Sequence, residues 1–391
     1  MDIALDTSTE SLSVVLKSLL SSQEDQFSFF FKNYEIQQNL SELLVEFSNN
    51  QISAEETLVL DYVPESLFQV RPVTRISTSL EGHTEAVLEV VFSPDNSILA
   101  SCSGDKTIRI WDPNTETPIV VLEKHLSWVM GVSFSSDVNQ LISFDLDGQI
   151  ILWNIKKILS DVKEFENSQK KDKLEKGGYF TCFKGHSKFI TSVVWRPIHL
   201  NLDNTQSRFV SSSKDNTLKM WDAFSGKMIT TMARHSASVT KVVWSGSDLV
   251  VSSSQDRTII IWDSNGNYLR KLQSHAHWVN CLSLNSYHTL RSGAFSYKEI
   301  NNKPESFNDY RIRSKNNFED FLKIAKKEYL VSGSDDNTLM LFDLGFSVEK
   351  AIKRMTGHTG PINQVQFSPN GVLFVSASFD KTLRIWSIMN D

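Results

Sequence analysis

From about residue 80 the apolar residues alternate with polar ones in short runs of period two, separated by turn-forming residues. Examples are Val87-Leu88-Glu89-Val90-Val91-Phe92, Ile98-Leu99-Ala100-Ser101 and Thr107-Ile108-Arg109-Ile110-Trp111, with Ser93-Pro94-Asp95-Asn96 and Gly104-Asp105-Lys106 between them. Such runs predict short antiparallel strands joined by tight turns. The first 70 residues read differently. Thr7-Ser8-Thr9-Glu10 is a capping-box pattern, and Leu12, Val15, Leu16, Leu19 and Leu20 follow at helical spacing, which predicts one amphipathic helix. Strands are expected at Phe27 to Phe31 and Leu58 to Tyr62, a turn at Lys32-Asn33, and a short apolar stretch at Leu40 to Phe47. The order strand, helix, strand, strand with a late closing strand suggests a small α+β ubiquitin-like β-grasp.

The strand-rich part is a repeat. A His, then a Ser, an Asp four residues after it and an aromatic six after the Asp recur six times. The sets are His83, Ser101, Asp105, Trp111; His125, Ser143, Asp147, Trp153; His186, Ser211, Asp215, Trp221; His235, Ser252, Asp256, Trp262; His275, Ser332, Asp336, Phe342; and His358, Ser376, Asp380, Trp386. With Gly82 before the first His and Asp112 after the first Trp, the pattern resembles the WD-repeat family, whose four-stranded blades pack radially into a β-propeller. The resemblance covers residues 75 to 388. It implies that each set is a buried hydrogen-bond relay from Asp to His to Ser to the indole nitrogen. A Ser-His-Asp catalytic reading fails on number, since a hydrolase needs one activated nucleophile and the set occurs six times. Phe342 has no N–H to donate, so the fifth relay is expected to be the weakest.

From marker His to aromatic the sets span 28, 28, 35, 27, 67 and 28 residues. The excess marks insertions at 197–207 and 285–328, the second containing a short helix with a basic end over Phe318 to Lys327. A third segment, 154–176, is rich in Lys and Glu and reads as a solvated linker. Trp128, Phe189 and Trp278 each stand three residues after a marker His and either rim one propeller face as partner contacts or pack between blades.

Composition narrows the function. The 46 acidic against 40 basic side chains give a net charge of -6, which argues against a protein that works by coating itself with nucleic acid. Three widely spaced cysteines, Cys102, Cys182 and Cys281, write neither a disulfide framework nor a zinc site and point to a reducing compartment. No apolar run approaches a membrane span and no signal peptide opens the chain, so a soluble intracellular protein is expected. No Gly-rich phosphate loop and no catalytic set beyond the repeated relay is present, so neither an enzyme nor a bound cofactor is expected.

A closer likeness rests on residues outside the generic repeat. The junction Tyr62-Val-Pro-Glu-Ser-Leu-Phe-Gln-Val-Arg-Pro-Val-Thr-Arg75 runs on to Leu80-Glu-Gly-His83. Further on come Trp195-Arg-Pro-Ile-His-Leu200, Ser274-His-Ala-His-Trp-Val-Asn280, Thr289-Leu-Arg-Ser-Gly-Ala-Phe295 and Arg354-Met-Thr-Gly-His358. Together they closely resemble the Notchless family of ribosome-assembly factors. The resemblance implies a ubiquitin-like domain over 1–70, with Ile3-Ala4-Leu5 as its second strand and the first strand lacking, a propeller over 71–391 and, by family expectation, eight blades where six repeats are present. An arc of six with family geometry would expose two apolar sheet faces. It also implies late maturation of the large ribosomal subunit in the nucleus and nucleolus, in which the propeller docks on pre-ribosomal proteins and RNA. The ubiquitin-like domain would be gripped by a midasin-type AAA ATPase through that partner's Mg²⁺ site. An open position on such an ion takes one exposed carboxylate. Matching the family's loop onto Ile52 to Leu58 puts it at Glu55, with Glu56 the competitor. Arg71, Arg75 and Lys323 to Lys327 are candidates for phosphate contact, alongside a reading as ordinary surface charge. The competing function is a generic WD scaffold, such as a ubiquitin-ligase substrate adaptor.

Overall fold

The computed structural model describes residues 11–12, 26–31, 34–35, 61–65, 78–166, 180–201, 207–273, 275–295, 304, 306–345 and 350–388. The chain divides into two compact units, Met1–Ser79 and Leu80–Asp391; the sequence had suggested a division at residue 70. In the first unit the described strands are Gln26–Phe31, Tyr34–Glu35 and Asp61–Glu65, an antiparallel sheet with Gln26–Phe31 in the centre. Phe31 pairs with Tyr34 and Phe29 with Tyr62; the turn expected at Lys32-Asn33 lies outside the described residues. The last described strand, Asp61–Glu65, overlaps the expected Leu58 to Tyr62 at Asp61 and Tyr62, and 58–60 lie outside the described residues. The helix after Leu12, Ile3 to Leu5, Leu40 to Phe47, Glu55, Glu56, Arg71 and Arg75 lie outside the described residues.

The second unit is a WD β-propeller of six blades. Their inner strands are Val87–Phe92, Val129–Phe134, Ile190–Trp195, Val239–Trp244, Val279–Leu284 and Ile362–Phe367. In each blade the strands lie antiparallel in chain order; among the described residues the first five sheets have four strands and the sixth three. Apolar residues fill each gap between consecutive blades. Ile108, Val129 and Ile151 join the first pair, Phe183, Phe209 and Trp221 the second, and Met220, Val242 and Trp262 the third. Ile261, Leu282 and Phe342 join the fourth pair, and Val331, Val365 and Phe374 the fifth.

Polar stitches run beside that core. Thr191 Oγ1 donates to Val239 O at 2.8 Å, Thr240 Oγ1 to Val279 O at 2.6 Å and Asn280 Nδ2 to Ile362 O at 3.0 Å. Between blades 1 and 2, Glu89 Oε2 accepts from Val132 N at 2.9 Å. Leu88, Val90 and Phe92 on the first blade and Val375, Leu383 and Ile385 on the sixth are exposed. These are the two apolar faces expected of an arc.

Two expectations need correction. Segment 154–176 opens as helix α1 (Ile155–Glu166), where a solvated linker was expected. Ile155, Ile158, Leu159 and Val162 recur at helical spacing and pack on the core of blades 1 and 2, and burial of that stripe outweighs the surrounding charge. In the fifth blade, helix α2 (Tyr287–Ser292) is followed by α3 (Phe307–Ala325), which starts eleven residues before the expected helix. Ser306 and Asp309 close a capping box at its start, a signal readable in the sequence.

The blade-5 insertion ties the unit together across one face. Arg291 Nη2 donates to Phe92 O of blade 1 at 2.6 Å, and Ser136 Oγ of blade 2 donates to Leu290 O at 3.2 Å. Phe318 stacks on His199 of the blade-3 insertion, ring centroids 5.0 Å apart. A Cβ on Gly246 would overlap the Phe318 ring and one on Gly371 the Phe321 ring, so glycine in these two turns is what lets the helix lie flat on blades 4 and 6.

Candidate functional site

In five blades the marker His lies in the loop entering the inner strand and the relay Asp in the turn between the second and third strands, so the relay fastens two loops at one end of the blade. The insertions follow the inner strand and emerge at the opposite end. The propeller thus has a relay face, closed by hydrogen bonds, and a braced face, covered by α2 and α3.

The relays have a common geometry. His83, His186, His235, His275 and His358 direct Nδ1 at Oδ2 of Asp105, Asp215, Asp256, Asp336 and Asp380 at 2.7–3.0 Å. Their Nε2 atoms, with that of His125, meet Oγ of Ser101, Ser143, Ser211, Ser252, Ser332 and Ser376 at 2.7–2.9 Å. The indoles of Trp111, Trp153, Trp221, Trp262 and Trp386 donate to the serine oxygens at 2.8–2.9 Å. With an ionised Asp the consistent tautomer places the proton on Nδ1, so Ser donates to Nε2 and accepts from Trp. Every serine is buried and bonded on both sides in five relays, which leaves no nucleophile facing solvent. At Phe342 the indole bond is missing, and the His275–Asp336 distance of 3.0 Å is the longest of the six.

The second relay departs from the expected set. His125 Nδ1 bonds Asp145 Oδ2 at 2.8 Å, and Asp147 is exposed. Asp145 occupies the place held elsewhere by Ser103, Ser213, Ser254, Ser334 and Ser378, two residues before the usual carboxylate. Its Oδ1 also accepts from Asp147 N at 3.1 Å and Gln149 N at 2.8 Å. One carboxylate thereby does the turn-capping and histidine-holding that Ser and Asp divide in the other blades. Constant spacing pointed to Asp147; the neighbouring Asp145 was the one visible sign of an alternative.

The relay carboxylates titrate low. Burial alone would raise Asp105, but bonds from Thr107 and His83 outweigh it and hold the group at about 2. Asp215, Asp256, Asp336 and Asp380 are lowered by the same balance. His186 is lowered as well, because desolvation outweighs its bond to Asp215. A depressed carboxylate contributes stability that is present above its unfolded pKa and lost as pH falls toward the folded one, from about pH 4 down to about 2. A depressed His adds stability above about pH 6.5, lost as the unfolded chain protonates. Melting temperatures measured from pH 8 to pH 3 are therefore expected to fall in two stages as acid is added. A flat profile across both windows would contradict the relay electrostatics.

Of the three aromatics singled out, Trp128 and Trp278 are exposed on the relay face. Phe189 is half-buried, with Lys214 Nζ 5.0 Å from its ring centroid. The basic stretch is partly paired: Lys323 bonds Asp320 at 2.7 Å and Lys327 bonds Asp343 at 2.9 Å, both within this chain. Burial pushes the Cys102 and Cys281 thiols up to about 12, which makes both poor nucleophiles. Among the described residues no three His, Cys, Asp or Glu side chains converge as a metal site, and no helix is long and apolar enough to cross a membrane.

The model of the WD domain, G-beta repeat, matches residues 74–112, 116–154, 177–222, 226–263 and 349–387. These are five of the six blades, and the unmatched one carries the long insertion and Phe342. Over longer alignments the chain is 37% identical to Ribosome assembly protein 4 of Saccharomyces cerevisiae across 91% of its length and 65% of the relative's. It is 35% identical to Protein Notchless of Drosophila melanogaster across 95% of its length and 72% of the relative's. The chain belongs to the Notchless family. A third member, the Notchless protein homolog of Arabidopsis thaliana, is 38% identical across 86% of the chain and 66% of its own length. The chain thus spans about two thirds of the length of these Notchless relatives.

Proposed function

We propose that this chain is a non-enzymatic assembly factor for the large ribosomal subunit, acting in the nucleus and nucleolus. The observation that carries the reading is the 37% identity, over 91% of the chain, to a protein named for ribosome assembly. Burial of all six relay serines supports a scaffold rather than a hydrolase. In this reading the propeller docks on pre-ribosomal proteins, with Trp128, Phe189 and Trp278 as contacts on the relay face and ribosomal RNA as a further contact. Residues 1–70 form a ubiquitin-like domain that offers Glu55 to the Mg²⁺ of a midasin-type AAA ATPase. The metal belongs to the partner, which completes its octahedron with one carboxylate oxygen from this chain.

The test is binding of the purified chain to an isolated midasin-type adhesion domain. Binding is expected with Mg²⁺, lost with chelator, lost in Glu55→Ala and kept in Glu56→Ala. Loss in Glu56→Ala alone would move the role to the competitor. Mg²⁺-independent binding, or none by a folded chain, would remove the ATPase coupling.

A further inference from the structure

Blade 2 presents a surface that the other five do not. The residue after the marker His is Thr84, Ser187, Ser236, Ala276 or Thr359 elsewhere and Leu126 here. The residue before the usual relay Asp is Gly104, Lys214, Gln255, Asp335 or Phe379 elsewhere and Leu146 here. With Trp128, blade 2 alone carries a large apolar side chain at all three relay-face positions. Leu126 is 78% exposed, Trp128 52% and Leu146 40%. Leu126 and Trp128 share one loop and Leu146 N bonds Trp128 O at 3.0 Å, while the Trp128 ring lies against Gly104 of blade 1.

The displaced relay carboxylate accounts for the arrangement. In the other five blades the backbone N–H after the marker His bonds the relay Asp, and a serine at the place of Asp145 donates to a carbonyl of the same loop. An ionised Asp145 has no proton to donate, and the turn it caps presents Leu146 outward.

Beside this apolar patch stands a positive one. Gly148 abuts the backbone of His186 and Lys188, so the blade-2 turn touches the blade-3 loop. There Lys184, Lys188 and Lys214 are exposed, and the blade-3 loop's own relay acid, Asp215, is held by His186. The free carboxylates bordering the sector, Glu85, Glu123 and Asp147, stand on blades 1 and 2. The sector is therefore apolar at Leu126, Trp128 and Leu146 and carries three exposed lysines over the blade-3 loop, with Asp147 as the carboxylate next to both. A large exposed aromatic flanked by aliphatics and rimmed by charge is the composition of a protein-docking hot spot.

We infer that this sector docks an extended acidic segment of a partner protein. An apolar anchor of that segment rests on Leu126, Trp128 and Leu146, and its carboxylates lie over Lys184, Lys188 and Lys214. The two exposed leucines favour a peptide over single-stranded RNA, which would take the lysines and the Trp ring but gain little from aliphatic side chains. The inference deepens the docking role proposed above and rests on it.

The experiment uses the full chain and three fluorescein-labelled probes: a peptide with a central Leu-Phe pair followed by Asp and Glu, the same peptide with Asn and Gln in place of the acids, and oligouridylate. The acidic peptide is expected to bind, more weakly as salt is raised, and the amide version to bind at least about tenfold more weakly. Leu126→Ser and Trp128→Ala are each expected to lower its affinity about tenfold or more without shifting the melting temperature. Lys188→Glu is expected to weaken the acidic probe and leave the amide one unchanged. Binding of oligouridylate in preference to the peptide, or peptide binding indifferent to Leu126→Ser and Trp128→Ala, would overturn the inference. Co-sedimentation of the parent chain with precursor particles tests the docking role separately: its loss defeats that role, whereas its persistence alongside failed peptide binding defeats only the acidic segment.

Discussion

Asp145→Ala is expected to destabilise the propeller by about 3 kcal/mol, and Asp147→Ala to change it by less than about 0.5 kcal/mol. Asp145 and His125 are both buried, and the Asp145 carboxylate accepts from the His125 ring and from two backbone amides of its own turn. Truncation strands all three donors, and the buried imidazole cannot turn to water. The chain His125–Ser143–Trp153 then loses its terminal acceptor, so cooperative polarisation along it falls too. Asp147 is exposed and gives the turn only its backbone. Urea denaturation of the two variants separates these outcomes in one comparison. Equal midpoints, or a larger loss in Asp147→Ala, would restore the evenly spaced residue to the relay.

The second large effect is expected at the brace. Glu328, only 6% exposed, sits where α3 returns to the fifth blade and accepts four hydrogen bonds. Gly246 N at 2.9 Å and Ser286 Oγ at 2.6 Å meet one oxygen; Ser247 N at 3.1 Å and Ser247 Oγ at 2.6 Å meet the other. The carboxylate thus joins the blade-4 turn to both ends of the blade-5 insertion. Glu328→Ala is expected to cost about 4 kcal/mol, because four donors lose a shared acceptor in a site closed to solvent. Glu328→Gln is expected to lose nearly as much, since an amide has one acceptor oxygen and its NH₂ would face the donors of the remaining pair. Hydrogen exchange should show the Gly246 and Ser247 amides losing protection in both variants. Retained stability in Glu328→Gln would mean that charge and second oxygen are both dispensable there.

The repeat was legible because its chemistry is local and recurrent. A marker His, a buried Ser and a Trp at fixed spacing predict a blade wherever they occur, and five relays form from the very residues the spacing named. The relay of blade 2 shows where such reading stops. Asp145 and Asp147 are two residues apart on one turn, and only the position of the His125 ring selects between them. Helix α1 was hidden by its Lys and Glu content, although the stripe Ile155, Ile158, Leu159 and Val162 was present in the sequence. The capping box at Ser306 and Asp309 is likewise written in the sequence, ahead of the apolar spacing from Phe318 that predicts a shorter helix.

Sequence alone determined the architecture of this protein: how many blades recur, where insertions interrupt them and which family the chain belongs to. Those properties rest on short-range periodicity and on motifs whose partners lie at constant separation. Tertiary structure alone decided what the insertions do and which surface is open. Glu328 meets Gly246 and Ser247 from some eighty residues away, and Arg291 reaches Phe92 across about two hundred. No spacing rule encodes contacts of that range, because they depend on how packed blades bring distant turns together. The apolar and cationic sector over blades 2 and 3 arises in the same way. Its residues are unremarkable one by one, and they become a docking surface because the relay holds their loops side by side.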